Sequence, residues 1–133
     1  MLVIVIGIFG MIGAMLRYGL GQLTFTWSHG PFPLATFIAN LLGCFILGWL
    51  TTYVNQRARI HTYIKKGIGT GLIGSFTTFS TFSVDAVQLI QSGLLTLGLF
   101  YIAASLFGGW MLGYLGYKIG ALFIGCYEKG NVR

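Results

Sequence analysis

Residues 74–83 read Gly-Ser-Phe-Thr-Thr-Phe-Ser-Thr-Phe-Ser, a run of hydroxyls and phenylalanines inside an otherwise apolar stretch. The run holds no ionisable group, so its chemistry is that of neutral donors and aromatic rings. Ser and Thr hydroxyls compete for backbone hydrogen bonds and Gly loosens a helix, so such a run can interrupt one. An interruption at membrane depth frees carbonyls that can hold a small cation and amides that can face an anion. The same composition also fits a continuous helix whose hydroxyls bond back to their own turn. Phe79 and Phe82 weigh toward the first reading. Three residues apart, they share a helix face, and an aromatic ring is positive at its edge. Ring edges beside hydroxyl and amide donors would give a dehydrated anion a path without a fixed charge. Asn40 supplies an amide that is expensive in lipid unless it faces a partner or a pore. Tyr101 and Ser105, four residues apart, put two more hydroxyls on one face.

The elements that must position these groups follow from the rest of the chain. Of 133 residues, 56% are hydrophobic and only 8% charged, with a mean hydropathy of +0.83. Residues 18–56, 67–84 and 86–117 carry no charge at all. No water-facing surface can be made from such stretches, which excludes a soluble globular enzyme. Disorder is excluded too, since it needs low hydrophobicity and high charge. An all-α integral membrane protein remains. Crossing roughly 30 Å of hydrocarbon takes about 20 apolar residues, and four stretches qualify, at about 2–21, 34–53, 67–91 and 94–120, in a single membrane domain. Phe79 stands thirteenth among the 25 residues of the third stretch, near the bilayer midplane. Ser92-Gly93 joins the last two as a tight hairpin. The first stretch is expected not to be a cleavable leader, because no basic segment precedes it and no short cleavage site follows.

Charge placement sets the expected direction of insertion. With four spans, Arg57, Arg59, Lys65, Lys66, Lys118, Lys129 and Arg133 fall on one side, against His29 in the loops of the other. That bias predicts cytoplasmic termini in a cell membrane. The net charge of +6 is therefore a topology signal and no nucleic-acid footprint, since the cations lack an exposed aromatic platform for base stacking. Cys44 and Cys126 lack the spacing of a disulfide or metal pair. Gly7, Gly10 and Gly13 on the first helix, and the G-x-x-x-G pairs Gly109/Gly113 and Gly116/Gly120 on the fourth, read as close-packing positions.

Three segments carry a resemblance to a known family. Gly10-Met11-Ile12-Gly13-Ala14-Met15-Leu16-Arg17-Tyr18 resembles G-x-x-G-A-x-x-R-Y. Pro33-Leu34-Ala35-Thr36-Phe37-Ile38-Ala39-Asn40 resembles P-x-G-T-x-x-x-N. The third is the T-T-F-S-T-F run from Thr77 to Phe82. In this order, on four spans of this size, they resemble the CrcB/Fluc family of fluoride-specific ion channels over nearly the whole chain. The resemblance implies four-helix subunits with a broken third helix, assembled as an antiparallel dimer with two fluoride pathways. It implies that Phe79 and Phe82 turn ring edges to fluoride beside the Asn40 amide. Tyr101 and Ser105 would be pore-lining hydroxyls, and Ser80 and Thr81 part of a polar track. It implies a structural, non-transported sodium ion on the backbone carbonyls of Gly74 and Thr77. The chain departs from the family pattern at Ser75 and Ala35, where glycines are usual, and at Gly113, where some members have a hydroxyl.

Leaving aside Lys118 at the cytoplasmic end of the fourth span, Arg17 and Asp85 are the two charges inside spans. Arg17 could draw anions to a pore mouth, or the two could form a buried pair holding the first and third helices together. Two other functions compete with a passive fluoride exporter. A proton-coupled drug exporter of four spans needs a membrane carboxylate, and the first two spans have none. A non-conducting assembly subunit would use the glycines but not the hydroxyl–phenylalanine run. An antiparallel homodimer requires one chain to insert both ways. The strong charge bias therefore admits, beside a homodimer, a dimer with an oppositely inserted homologue.

Overall fold

The computed structural model describes residues 1–27, 30–56 and 61–130, without the side chains of 27, 54–56 and 124–130. His29, Arg57, Arg59 and Arg133, four of the residues used to orient the chain, lie outside the described residues, as do the side chains of Lys129 and Cys126. All described elements are helical. They are α1 (Leu2–Trp27), α2 (Leu34–Gln56), α3 (Thr62–Lys66), a π-helical segment (Gly67–Ile73), α4 (Gly74–Phe76), α5 (Phe79–Gln91) and α6 (Leu95–Gly130).

Among the described residues, three helical stretches are long and apolar enough to cross a membrane: Leu2–Thr26, Leu34–Tyr53 and Leu95–Phe123. Each helix continues beyond the span read from hydropathy, because a helix need not stop where hydrocarbon does. At 1.5 Å per residue the 36 residues of α6 extend about 54 Å, well past roughly 30 Å of hydrocarbon. The remaining apolar stretch, the third at 67–91, is not one helix. It runs as the π-helical segment and α4, stops at Thr77-Thr78, and resumes as α5.

Local chemistry explains the ends. Pro33 cannot continue a helix from its N-terminal side, and its carbonyl accepts the first bond of α2, from the Phe37 N–H at 3.1 Å. After α5 the chain turns at Gly93, φ +81°, a left-handed conformation natural to glycine. Leu94 N–H donates to Leu89 O (3.0 Å) and Gly93 N–H to Ile90 O (3.1 Å), the paired bonds of a Schellman cap. That cap sends α6 back along α5.

Two glycine seams hold the helices. On the first, α2 packs along α6: a Cβ on Gly48 would strike the Gly113 carbonyl, and one on Gly116 the Phe45 carbonyl. Gly120 meets Thr52 and Trp49 O, and Gly109 faces Cys44 Sγ. On the second, α1 packs against the π-helical segment, with Gly13 on the Leu72 carbonyl and Gly71 on Ile6 O. Small residues thus bring backbones together where lipid supplies no hydrophobic drive. Of the first-helix glycines, Gly10 and Gly13 serve this seam, while Gly7 has nothing within 4 Å of an added Cβ. Ser75, one of the departures from the family pattern, places its hydroxyl 3.3 Å from the Cβ position of Gly10.

Candidate functional site: the break between α4 and α5

The break is made by two adjacent threonines acting in opposite directions. Thr77 bonds back: its N–H and its hydroxyl both donate to Ile73 O at 2.9 Å, and its backbone then turns extended (φ −82°, ψ 156°). Thr78, also extended (φ −150°, ψ 124°), bonds forward, its Oγ1 accepting from Thr81 N–H at 3.2 Å as the N-cap of α5. The competition between hydroxyl and backbone anticipated from composition is resolved here as an interruption.

Asn40 reaches this break from α2. Its Oδ1 accepts from Thr78 N–H at 2.8 Å, and its Nδ2 donates to Thr78 O at 3.0 Å. A backbone N–H can only donate and a carbonyl only accept, so these two bonds fix which end of the amide is which. One Nδ2 proton remains uncommitted. Around Asn40 opens a cavity of about 280 Å³ whose lining includes Thr77, Thr78, Phe79, Phe82 and Ser105. No charged side chain lines it. The rings of Phe79 and Phe82 lie 5.8 Å apart, as expected for one face. Phe79 is 80% exposed on the single chain.

The other site residues fall differently. Tyr101 does not line this cavity. It is fully buried in an aromatic cluster, 5.2 Å from Phe82 and 5.5 Å from Phe32 by ring centroid. Its hydroxyl and that of Ser105 are buried without a hydrogen-bond partner among the described residues. Ser80 and Thr81 are exposed on α5 and turn toward Thr78, whose Oγ1 donates to Thr81 Oγ1 at 3.0 Å and lies 3.3 Å from Ser80 Oγ.

Arg17 lines a second cavity, of about 370 Å³, with Gln22, Thr36, Thr78 and Thr81. Thr78 thus borders both cavities. Asp85 is elsewhere, with Oδ2 buried and unpartnered among the described residues. The Arg17–Asp85 pair considered from sequence is therefore not formed within the chain. Lying within a span does not fix which way a side chain faces around its helix.

Thr78 and Thr36 were missed as site residues. Thr78 carried a signal, a threonine three residues ahead of another hydroxyl at a helix start. The 9% exposure of Thr36 follows from packing alone.

At the break, Ile73 O is taken by Thr77 and Thr78 O by Asn40. Outside the helices' own ladders, no hydrogen bond among the described residues ends on the Gly74 or Thr77 carbonyl. No group of three or more His, Cys, Asp or Glu occurs among the described residues. The Gly74 and Thr77 carbonyls are neutral oxygen donors.

A helical, multi-pass membrane protein organised around an interrupted helix is the class these features define. The chain belongs to the family described as CrcB-like protein, Camphor Resistance (CrcB), which it matches over residues 4–117. It is 49% identical over 121 residues to "Fluoride-specific ion channel FluC 1" of Bacillus cereus, covering 91% of this chain and 88% of that one. A Bacillus thuringiensis protein of the same name is 49% identical over 117 residues (88% and 85%). Another so named, from Desulfitobacterium hafniense, is 48% identical over 109 residues (82% and 94%). These relatives are named as ion channels, and the family is one of channels and not of enzymes.

Proposed function

We propose that this protein is a fluoride-specific channel through which accumulated fluoride leaves the cell passively, lowering its cytoplasmic concentration. The observation that carries this reading is the uncharged cavity at the break, where Asn40, two threonines, Ser105 and two phenylalanine rings converge. Fluoride is small and strongly hydrated, so a pore must replace the hydrogen bonds of water. Hydroxyls, the free N–H of Asn40 and the positive edges of Phe79 and Phe82 are groups of that kind. They act without a fixed cation that would hold the ion too tightly to release. Arg17, in the neighbouring cavity, would raise the local anion concentration at the mouth. Ser80 and Thr81 would extend the polar track along α5.

The working unit in this reading is an antiparallel dimer, with a second copy or with an oppositely inserted homologue, crossing the membrane four times per subunit with cytoplasmic termini. Support comes from what the single chain leaves uncovered. Phe79, Ser80 and Thr81 are exposed at the middle of the 67–91 stretch, where polar side chains turned to lipid are costly. A structural sodium ion fits the donor set at the break, where the Gly74 and Thr77 carbonyls are neutral oxygen ligands suited to a hard cation. Bound there, it would offset the partial negative charge of those carbonyls and tie the break to its partner.

Purified protein in liposomes tests the function. Fluoride efflux without chloride efflux is expected, from the chain alone or with an oppositely inserted homologue. Proton-coupled export of a cationic compound, or no fluoride flux in either arrangement, would overturn it.

A further inference from the structure

Asn40 has four hydrogen-bonding positions, and the break occupies two of them, leaving one N–H and one lone pair. Both occupied positions go to the backbone of one residue, 38 positions away in sequence. Thr78 is where the chain has left one helix and not yet entered the next, so neither backbone ladder holds it. Its hydroxyl is already committed forward to Thr81. Asn40 therefore supplies a tertiary substitute for the missing ladder at the point from which Phe79 and Phe82 are aimed. The anchor itself is firm. Ala39 beside it is fully buried and Thr36, one turn earlier, is buried as well. One turn later, a Cβ on Gly43 would overlap the Thr77 methyl, so α2 meets the break closely along this face.

We propose that Asn40 is a positioning residue, whose two hydrogen bonds to Thr78 clamp the break, and that ion passage depends on this clamp. This rests on the fluoride-channel reading. A direct donor role for Asn40 uses only the remaining N–H, and that proton is aimed because the other two bonds fix the amide plane. The clamp and the donor can be separated, since the clamp has a half that lies wholly outside the Asn40 side chain.

The experiment replaces Thr78 by its α-hydroxy acid, which turns the Thr78 N–H into an ester oxygen. The threonine side chain, Asn40 and every cavity-lining side chain stay in place; the Thr77 carbonyl becomes an ester carbonyl, and any effect of that change would persist in the Asn40→Ala background. Fluoride efflux from liposomes is then compared for four proteins at matched amounts of assembled, monodisperse material: parent, the ester at 78, Asn40→Ala, and both changes together. The ester is expected to lower flux about tenfold, as loss of a hydrogen bond of this kind implies. It should add almost nothing in the Asn40→Ala background, because the bond is already gone.

Amide exchange gives a readout independent of conduction. The Thr78 N–H should exchange slowly in the parent and at least about tenfold faster in Asn40→Ala. Unchanged flux in the ester protein, with Asn40→Ala still impaired, would overturn the proposal and leave Asn40 as a direct donor only. Equal and additive losses would overturn it as well. If the parent conducts no fluoride, the channel reading fails instead, and the exchange experiment alone still decides whether the clamp exists.

Discussion

The seam between α2 and α6 and the break between α4 and α5 share one helix and are built by opposite means. Along the seam, side chains are removed: Gly48, Gly113, Gly116 and Gly120 let backbone touch backbone and carbonyl oxygens. At the break, polar side chains are added: Asn40, Thr77 and Thr78 take over bonds that the backbone has given up. Both contacts belong to α2. Phe45, Gly48 and Thr52 face α6, while Thr36, Asn40 and Gly43 face the break, on another side of the same helix. The comparison assigns a division of labour. The seam makes α2 a rigid rail, and the rail carries the amide that holds the interrupted helix. The break itself stays open, with Phe79 almost bare on the single chain.

The largest expected effect comes from breaking the rail. A side chain at Gly116 must displace the Phe45 carbonyl, which is backbone and cannot move cheaply. Gly116→Val is expected to cost about 3 kcal/mol, read as a lowered melting temperature in detergent and loss of a monodisperse species. Gly7→Ala is the control, because nothing lies within 4 Å of its added Cβ. It should be neutral or stabilising by up to about 1 kcal/mol. Equal costs at the two positions would remove the distinction between seam glycines and lipid-facing ones.

A second contrast lies within the break. Phe79→Ile and Phe82→Ile should each reduce fluoride efflux at least about tenfold, if ring edges worth about 1.4 kcal/mol are lost. Their stabilities should differ. Phe82 packs 5.2 Å from the buried Tyr101 ring, whereas among the described residues of one chain the aromatic neighbour of Phe79 is Phe82. Phe82→Ile should therefore also lower the melting temperature, by about 1 kcal/mol of stability, while Phe79→Ile leaves it near the parent. Undiminished flux in both would refute the ring-edge path.

The break was legible in the sequence, and its cause was legible with it. Five hydroxyls and a glycine within residues 74–81 cannot sit quietly in an apolar helix, and Thr77 and Thr78 do the interrupting. The α6 glycines were legible as packing positions, since their spacing alone places them on one stripe. What they pack against was not, because Gly48 on α2 stands in no pattern of its own. The π-helical segment gave no local signal either. Its geometry goes with close approach to α1, where Gly67 meets Val5 and Phe9 and Gly71 meets Ile6 O. Asn40 was legible as a polar group needing a partner. That the partner is a backbone residue 38 positions away is a tertiary match no window of sequence contains.

The two in-span charges give the smallest expected effect and the finest test of how open the polar side is. If Arg17 and Asp85 formed a buried pair, removing either would strand a charge at a cost of about 3–5 kcal/mol, and the two losses would be strongly coupled. The chain instead puts Arg17 beside Gln22, Thr36 and Thr81 and leaves Asp85 Oδ2 alone. A double-mutant cycle on Arg17→Ala and Asp85→Asn should then give a coupling below about 0.5 kcal/mol. Arg17→Ala alone should lower fluoride efflux a few-fold at low ionic strength. The deficit should shrink as salt rises, because the attraction acts through solvent over roughly a Debye length. A coupling of several kcal/mol would instead mean that the two charges meet across subunits. Arg17 would then be a clasp between chains, and the cavity it lines would close on assembly instead of admitting anions.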